Sequence, residues 1–143
     1  MIVTIDGPVA SGKSMAARNV ALQLGFYYLN TGLLYRAVAY LLIRKYGNLP
    51  TCSELILPGL DFIDAITYRY QGDVPHILYQ GNDITRYLAD TTLDQYASIV
   101  SGYAPVRERL LDVQRAFALE LDVVAVVRDC GTVVFSHADY KFY

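Results

Sequence analysis

Residues 2–24 read Ile-Val-Thr-Ile-Asp-Gly-Pro-Val-Ala-Ser-Gly-Lys-Ser-Met-Ala-Ala-Arg-Asn-Val-Ala-Leu-Gln-Leu, and this stretch decides the fold. Ile2–Ile5 is a short β-branched run of the kind found in buried parallel strands. Across Lys13–Leu24 the apolar residues recur at intervals of three and four, which predicts an amphipathic helix stopped by Gly25. A strand, a loop and a helix in this order open an α/β fold.

The loop between this strand and this helix, residues 7–14, has the spacing G-x-x-x-x-G-K-S. Glycines let backbone N–H groups approach phosphate oxygens, and the helix N-terminus adds partial positive charge. We expect Lys13 to bridge the β- and γ-phosphates of a nucleotide and the Ser14 hydroxyl to bind Mg²⁺. The alternative is a glycine turn that only caps the helix, but the strand and helix on either side favour phosphate binding. The candidate phosphate-binding residues are Gly7, Pro8, Val9, Ala10, Ser11, Gly12, Lys13, Ser14 and Met15.

The rest of the chain continues with strands and helices, so we predict one α/β domain over residues 1–143. Its parallel sheet is flanked by helices and carries a small β-hairpin insert at about 61–90. The Val-rich run at 122–129 indicates a buried central strand. The predicted elements are strand 26–29, helix 33–46, a hairpin from 65 to 79 that turns near 72–73 and is closed off by 81–83, helices 92–101 and 105–121, and strand 122–129.

The overall charge argues against large polyanionic partners. The chain has 143 residues, a formal net charge of −2 and a pI near 5.5. With these values the chain lacks the excess of positive charge that binding to polymeric nucleic acid or to an anionic membrane surface requires. The longest uninterrupted apolar stretch, 37–43, is far below the roughly 20 residues of a membrane span, and no basic leader precedes the first strand. We therefore expect a cytoplasmic protein.

Cysteine and histidine provide no recognisable site. Cys52 and Cys130 lie too far apart in sequence for a metal knuckle or a redox pair, which predicts two reduced thiols. His76 and His137 form neither a triad nor a metal-binding spacing. The hydrophobic fraction of 54% and the positive mean hydropathy are high for a free-standing domain, so some of this surface is expected to await a partner.

Four further charged residues are candidates for binding or catalysis. Asp129 follows the apolar strand at the place where α/β sheets bind ligands, so it can hold magnesium or orient a substrate. Its alternative is a carboxylate that caps the next turn. The neighbouring Arg128 can stabilise charge beside a phosphate site. Arg36 and Arg107 lie on predicted helices and can bind phosphate bidentately, or they can be surface residues with partly buried stems.

Four sequence segments resemble the bacterial cytidylate kinase family of nucleoside monophosphate kinases. Their order and spacing agree with that family over nearly the whole chain, and the last segment favours it over adenylate, guanylate and shikimate kinases. The segments are Ile5-Asp6-Gly7-Pro8, Asn30-Thr31-Gly32-Leu33-Leu34-Tyr35-Arg36-Ala37-Val38, Pro105-Val106-Arg107-Glu108 and Arg128-Asp129-Cys130-Gly131-Thr132-Val133-Val134-Phe135.

The resemblance implies phosphorylation of CMP or dCMP by ATP with Mg²⁺. It places the donor phosphates on the loop 7–15 and the hairpin in the family's monophosphate-binding insert. It also implies Lys13, Arg128 and Asp129 as catalytic residues, with Arg128 facing the transferring phosphate.

The residues implied to bind the acceptor nucleotide are Thr31, Arg36, Ser98, Arg107, Arg128 and Asp129. Their chemistry agrees with cytosine as the base. The N4 amine of cytosine needs hydrogen-bond acceptors such as Asp129 and Ser98, whereas O2 and N3 need a donor such as Arg107.

The sequence also departs from the family pattern. Asn30, Met15, Val127 and Ala89 stand where the family has aspartate, threonine, glycine and arginine. The family continues with a mobile lid whose arginines neutralise developing charge, and no such segment follows Tyr143. A second hypothesis is therefore a catalytically impaired nucleotide-binding remnant or assembly module. Without that segment, an edge of the parallel sheet and apolar helix faces would be left exposed, and we expect such a surface to self-associate.

Overall fold

The computed structural model describes residues 1–8, 11–55, 57–126 and 130–143. Its contacts divide the chain into two compact units. The first comprises residues 1–31 and 114–143, and the second comprises residues 32–113. A four-stranded parallel sheet lies in the first unit and a three-stranded antiparallel sheet in the second. Among the described residues, no helix has the length and apolar character needed to cross a membrane.

The regular elements alternate as an α/β fold requires. The strands are β1 (Ile2–Ile5), β2 (Tyr27–Asn30), β3 (Ile66–Gln71), β4 (Val74–Tyr79), β5 (Asn82–Asp83), β6 (Val123–Val126) and β7 (Tyr140–Phe142). The helices are α1 (Lys13–Leu24), α2 (Thr31–Tyr46), α3 (Thr92–Val100) and α4 (Ala104–Ala118). Shorter helical turns cover Cys52–Glu54, Leu57–Ala65, Thr85–Ala89 and Cys130–Val134.

The parallel sheet has the strand order β2-β6-β1-β7. In its centre, Ile2 lies opposite Val123 and Thr4 opposite Ala125. Every residue of β6 is buried, which is the environment that its valine-rich sequence predicts. The two apolar runs recognised in the sequence therefore pair with each other, although about 120 residues separate them in the chain.

Helix α1 begins at Lys13 and ends at Leu24, as predicted from the sequence. Ala17 and Ala21 face a core that also contains Val3, Val124 and Val126. Gly25 ends the helix in the left-handed conformation, at φ 68°. The next N–H, that of Phe26, donates to the carbonyl of Ala21 at 2.8 Å. Because Phe26 completes the helix cap, β2 begins one residue later than predicted.

Three further helices have bounds that differ from the prediction. Helix α2 begins at Thr31, so this residue opens the helix instead of preceding it. Helix α3 ends at Val100, one residue early. Helix α4 ends at Ala118 and not at 121, because the chain turns there to enter β6 at Val123 and leaves Leu119 80% exposed. The predicted strand 122–129 is present over Val123–Val126, and its last three positions lie outside the described residues.

The predicted hairpin is present in the second unit. Strands β3 and β4 pair antiparallel from Ile66 opposite Tyr79 to Gln71 opposite Val74, which leaves the two-residue turn 72–73. The predicted alternation holds, because Ile66 and Tyr68 are buried whereas Thr67 is exposed. Residues 82–83 form a third strand, β5, on β4, where a closing loop was expected.

One carboxylate secures the start of the turn after β5. Asp83 accepts a hydrogen bond from the Thr85 backbone at 2.8 Å, and its other oxygen lies 2.5 Å from His76 Nδ1. The Thr85 side chain and backbone, followed by His76, lower the pKa of Asp83 to about 2. His76 is therefore a partly buried residue of β4 with a specific partner.

The C-terminal strand β7 was not predicted. Its three residues, Tyr140–Phe142, are all exposed, so they carry no alternation that a sequence pattern can detect. They join the sheet by parallel pairing with β1, where Val3 lies opposite Tyr140. Before β7, the chain forms a single π-helical turn over Cys130–Val134.

Candidate functional site

The first unit places chemically active residues along one edge of its sheet. Strands β1, β2 and β6 run parallel, so their carboxyl ends lie at the same edge. Asp6 follows β1, and Thr31 follows β2. In α/β proteins, ligands bind at this edge of the sheet.

The glycine loop follows β1 at this edge and leads directly into α1. Gly7 and Gly12 adopt φ values of 142° and 80°, which side chains other than hydrogen rarely tolerate. A Cβ on Gly7 would lie 3.3 Å from Cδ of Lys13, so this glycine also makes room for the lysine stem. Gly12 immediately precedes α1, which directs the helix N-terminus toward the loop. Val9 and Ala10 lie outside the described residues.

Lys13 is the first residue of α1, and its side chain reaches back across the loop. Its ammonium group donates to the carbonyl of Pro8 and lies 3.3 Å from Oγ of Ser11. The Ser11 hydroxyl also donates to the Pro8 carbonyl, at 2.9 Å. Ser14 and Met15 are exposed in the same first turn. The loop therefore holds a cation, a hydroxyl group and a helix N-terminus close together, which are the groups that bind phosphate.

Asp6 is a site residue that the sequence analysis assigned no role. Its Oδ2 accepts a hydrogen bond from the Gly131 backbone N–H at 3.0 Å. The contact ties the end of β1 to the turn Cys130–Val134, two residues after the candidate Asp129. Arg128 and Asp129 themselves lie outside the described residues. The sequence did contain a signal for Asp6, since it is an acidic residue between a predicted parallel strand and the glycine loop.

Gly131 is required here by close approach and not by an unusual φ. A Cβ at this position would lie 2.8 Å from Thr4 Oγ1, 3.1 Å from Asp6 Oδ2 and 3.3 Å from Lys141 Cδ. Any larger residue would therefore push the turn away from β1.

Thr31 is buried at the end of β2, with 5% of its surface exposed. Its hydroxyl donates to the carbonyl of Val126 on the adjacent strand at 3.3 Å. The hydroxyl oxygen retains lone pairs but has its hydrogen engaged, so Thr31 links two strand ends beside the loop.

Three further candidate acceptor residues, Arg36, Ser98 and Arg107, belong to the second unit. Arg36 on α2 donates to the carbonyl of Leu88 at 3.2 Å and forms an ion pair with Asp94 on α3. Ser98 lies one turn after Asp94 and is exposed on the same side of α3. The structure thus brings Arg36 to the helix that carries Ser98, through an aspartate that the sequence analysis did not identify. Arg107 is half-buried on α4.

Taken together, a parallel sheet and a glycine loop that enters a helix with a lysine and a serine define a P-loop fold of the nucleoside monophosphate kinase type. The family model described as cytidylate kinase matches residues 3–143. The chain therefore belongs to the cytidylate kinase family.

Individual relatives agree with this assignment. The chain is 39% identical over 142 residues to a cytidylate kinase of Bordetella bronchiseptica, which covers 99% of this chain and 61% of the relative. It is 37% identical over 143 residues to a cytidylate kinase of Pelodictyon phaeoclathratiforme, with 100% of this chain and 61% of the relative covered. For a cytidylate kinase of Thermodesulfovibrio yellowstonii the identity is 37%, with 99% and 64% covered. The chain thus spans less than two thirds of the length of these relatives.

Proposed function

We propose that this chain takes part in the ATP-dependent phosphorylation of CMP or dCMP to the diphosphate. The observation that carries the proposal is the glycine loop at the carboxyl edge of the sheet, with Lys13 opening α1 and its ammonium group directed back across the loop. Phosphoryl transfer depends on positioning and on stabilising charge, and this loop supplies both for the donor phosphates.

On the donor side, residues 7–15 would cradle the phosphates of ATP. The Lys13 ammonium would exchange the Pro8 carbonyl for phosphate oxygens, because a charge-assisted contact is stronger than one to a neutral carbonyl. That exchange needs only a rotation of the lysine side chain, since Gly7 leaves its stem unobstructed.

The residues of the loop fit Mg²⁺ that arrives with ATP. Among the described residues, no group of three His, Cys, Asp or Glu side chains could hold a metal alone. Magnesium at kinase sites keeps several waters and uses substrate phosphates with few protein ligands. Ser14 is exposed in the first turn of α1, so its hydroxyl would supply one such ligand. The bound ion would neutralise phosphate charge during transfer.

On the acceptor side, Arg36 would contact the monophosphate. Thr31 would do so by redirecting its hydroxyl hydrogen from the carbonyl of Val126 to a phosphate oxygen. Arg36 would exchange Asp94 for the dianionic phosphate, which it can bind bidentately. Ser98, Arg107 and Asp129 would read cytosine through its N4 amine, O2 and N3, and Arg128 would face the transferring phosphate. This set discriminates by hydrogen bonding, so a base that lacks the N4 amine should bind much more weakly.

Calorimetric titration of CMP, UMP and ATP-Mg²⁺, beside a coupled assay for ADP formation, tests the proposal. We expect CMP to bind more tightly than UMP, and ADP to form only when CMP and ATP-Mg²⁺ are both present. Lys13→Gln should weaken ATP binding roughly 10- to 100-fold. Lys45→Gln, which removes the same charge from an exposed position on α2, should leave ATP binding unchanged. Absence of ATP binding by the unaltered chain would refute the role of the loop, and binding of both ligands without ADP would refute catalysis by this chain.

A further inference from the structure

Two tyrosines and two arginines form a compact group on the second unit. Tyr40 and Arg44 lie one turn apart on α2, and Arg86 and Tyr87 belong to the turn Thr85–Ala89. We call these four residues the Arg–Tyr cluster. The rings of Tyr40 and Tyr87 stack with centroids 5.5 Å apart and an angle of 5° between their planes. This nearly parallel stack joins α2 to the turn.

Each tyrosine ring holds one guanidinium group. The Arg44 guanidinium lies 5.6 Å from the centroid of Tyr40 and donates to the Tyr40 hydroxyl at 2.8 Å. The Arg86 guanidinium lies 4.6 Å from the centroid of Tyr87 and donates to the Tyr87 hydroxyl. Cation–π contact and hydrogen bonding together restrict both side chains. An anion that binds them would therefore lose less side-chain entropy than on two free arginines.

The charges of Arg44 and Arg86 are not neutralised by direct contact. Within the described part of the chain, neither guanidinium forms an ion pair, whereas Arg36 pairs with Asp94 and Arg109 pairs with two aspartates. Each guanidinium carries five N–H donors, and the contact with a phenol oxygen uses only one of them. Both arginines are exposed, so the remaining donors are accessible.

One carboxylate acts on the cluster from a distance. The pKa of Arg86 is raised chiefly by its hydrogen bond with Tyr87, and the negative charge of Asp83 raises it further by a smaller amount. Asp83 is itself engaged by His76 and by the Thr85 backbone. It therefore reduces the positive field of the cluster without occupying its donors.

We propose that the Arg–Tyr cluster is an anion-binding site that takes the phosphate group of a small phosphorylated ligand. Guanidinium groups bind phosphate oxygens bidentately. The Tyr40 and Tyr87 hydroxyls accept from the arginines, so their own hydrogens can donate to a bound phosphate. The group thus offers planar cations and hydroxyl donors on one rigid platform.

The cluster is separate from the residues proposed above for ATP and CMP, but it adjoins one of them. Arg36 precedes Tyr40 by one turn of α2, and it donates to the carbonyl of Leu88, the residue after Tyr87. A phosphate on the cluster would therefore lie next to Arg36. For this reason the test is made with Lys13→Gln and Arg36→Gln in place, which remove one phosphate-binding cation from each of the two proposed nucleotide sites.

In that double-variant background, pyrophosphate, CMP and cytidine are titrated calorimetrically. We expect pyrophosphate and CMP to bind and cytidine, which has no phosphate, not to bind. Adding Arg44→Gln or Arg86→Gln should weaken pyrophosphate binding about tenfold or more, since a charge-assisted contact is lost. Arg44→Lys should also weaken binding, because an ammonium group cannot make the planar bidentate contact.

Arg69→Gln is the matched control, because it removes one exposed positive charge from β3 of the same unit. Equal weakening by Arg69→Gln would show attraction to net charge only and would overturn the proposal. So would unchanged pyrophosphate binding in both cluster variants, or an acidic peptide that binds the cluster as tightly as pyrophosphate. If Arg86→Gln disturbs the fold by circular dichroism, Tyr87→Phe provides the test instead, because it removes the hydroxyl and keeps the stacked ring. These titrations measure no phosphoryl transfer, so failure of the kinase proposal leaves their outcome interpretable.

Discussion

Replacement of Gly131 by alanine adds a methyl group at a point where the turn Cys130–Val134 touches β1. That methyl would lie 2.8 Å from Thr4 Oγ1, closer than real side-chain contacts, and 3.1 Å from Asp6 Oδ2. Thr4 is completely buried in the centre strand of the sheet and cannot swing away. The turn must therefore move, which also strains the 3.0 Å hydrogen bond from Gly131 to Asp6.

We expect Gly131→Ala to lower the free energy of unfolding by about 1–3 kcal/mol, the usual cost of an extra methyl group in a close-packed interior. The closest contact is with one atom, so removing that atom should relieve the strain. The Thr4 hydroxyl has no hydrogen-bond partner among the described residues, so its loss breaks no hydrogen bond within that part of the chain. In a Thr4→Ala background the cost of Gly131→Ala should therefore fall below about 1 kcal/mol.

Urea unfolding of the four proteins in this double-mutant cycle measures the interaction. Thr4→Ser is the control, because it keeps the hydroxyl and loses only the methyl group, so the cost of Gly131→Ala should persist in that background. The close approach of Gly131 to Thr4 would be refuted if Gly131→Ala changed stability by less than about 0.5 kcal/mol, or if its cost were the same with alanine and serine at position 4.

Other expected outcomes concern the loop, the hairpin sheet and the core. Lys13→Ala should weaken ATP binding roughly 10- to 100-fold, the value of one charge-assisted contact, and an unchanged dissociation constant would contradict its role. Because the pKa of Asp83 is lowered to about 2 in the folded state, its ionised carboxylate stabilises that state above about pH 4. This contribution is lost as the pH falls toward 2. Acid unfolding curves of the unaltered chain and of Asp83→Asn should therefore converge at low pH, with less than about 1 kcal/mol between them at neutral pH because the carboxylate is exposed. Leu29→Ala should lower the free energy of unfolding by about 2–5 kcal/mol, measured by thermal or urea unfolding, because Leu29 is buried. Leu22→Ala, at an 81% exposed position, should lower it by less than about 0.5 kcal/mol. Equal losses of stability would contradict the burial of Leu29.

The sequence determined those features that depend on neighbouring residues. The bounds of β1 and α1 and the glycine that ends α1 agree with prediction, because strand propensity, helical periodicity and glycine caps are local properties. The hairpin β3–β4 was predictable for the same reason, since alternating residues and a Gly-Asp turn lie within about 15 residues. The cytidylate kinase family was also recognisable from motif order, and the comparisons confirm it.

Only the tertiary structure decided which distant segments meet. The order β2-β6-β1-β7 depends on pairing between strands about 100 residues apart, and no local pattern encodes which neighbour a buried strand selects. Strand β7 was missed because three exposed residues have no periodicity, and it exists only because β1 offers an edge for pairing. Asp6 meets Gly131, and Asp94 meets Arg36, through the same folding of remote segments. A contact of this kind follows from the positions of whole elements, whereas sequence patterns report which residue types each element contains.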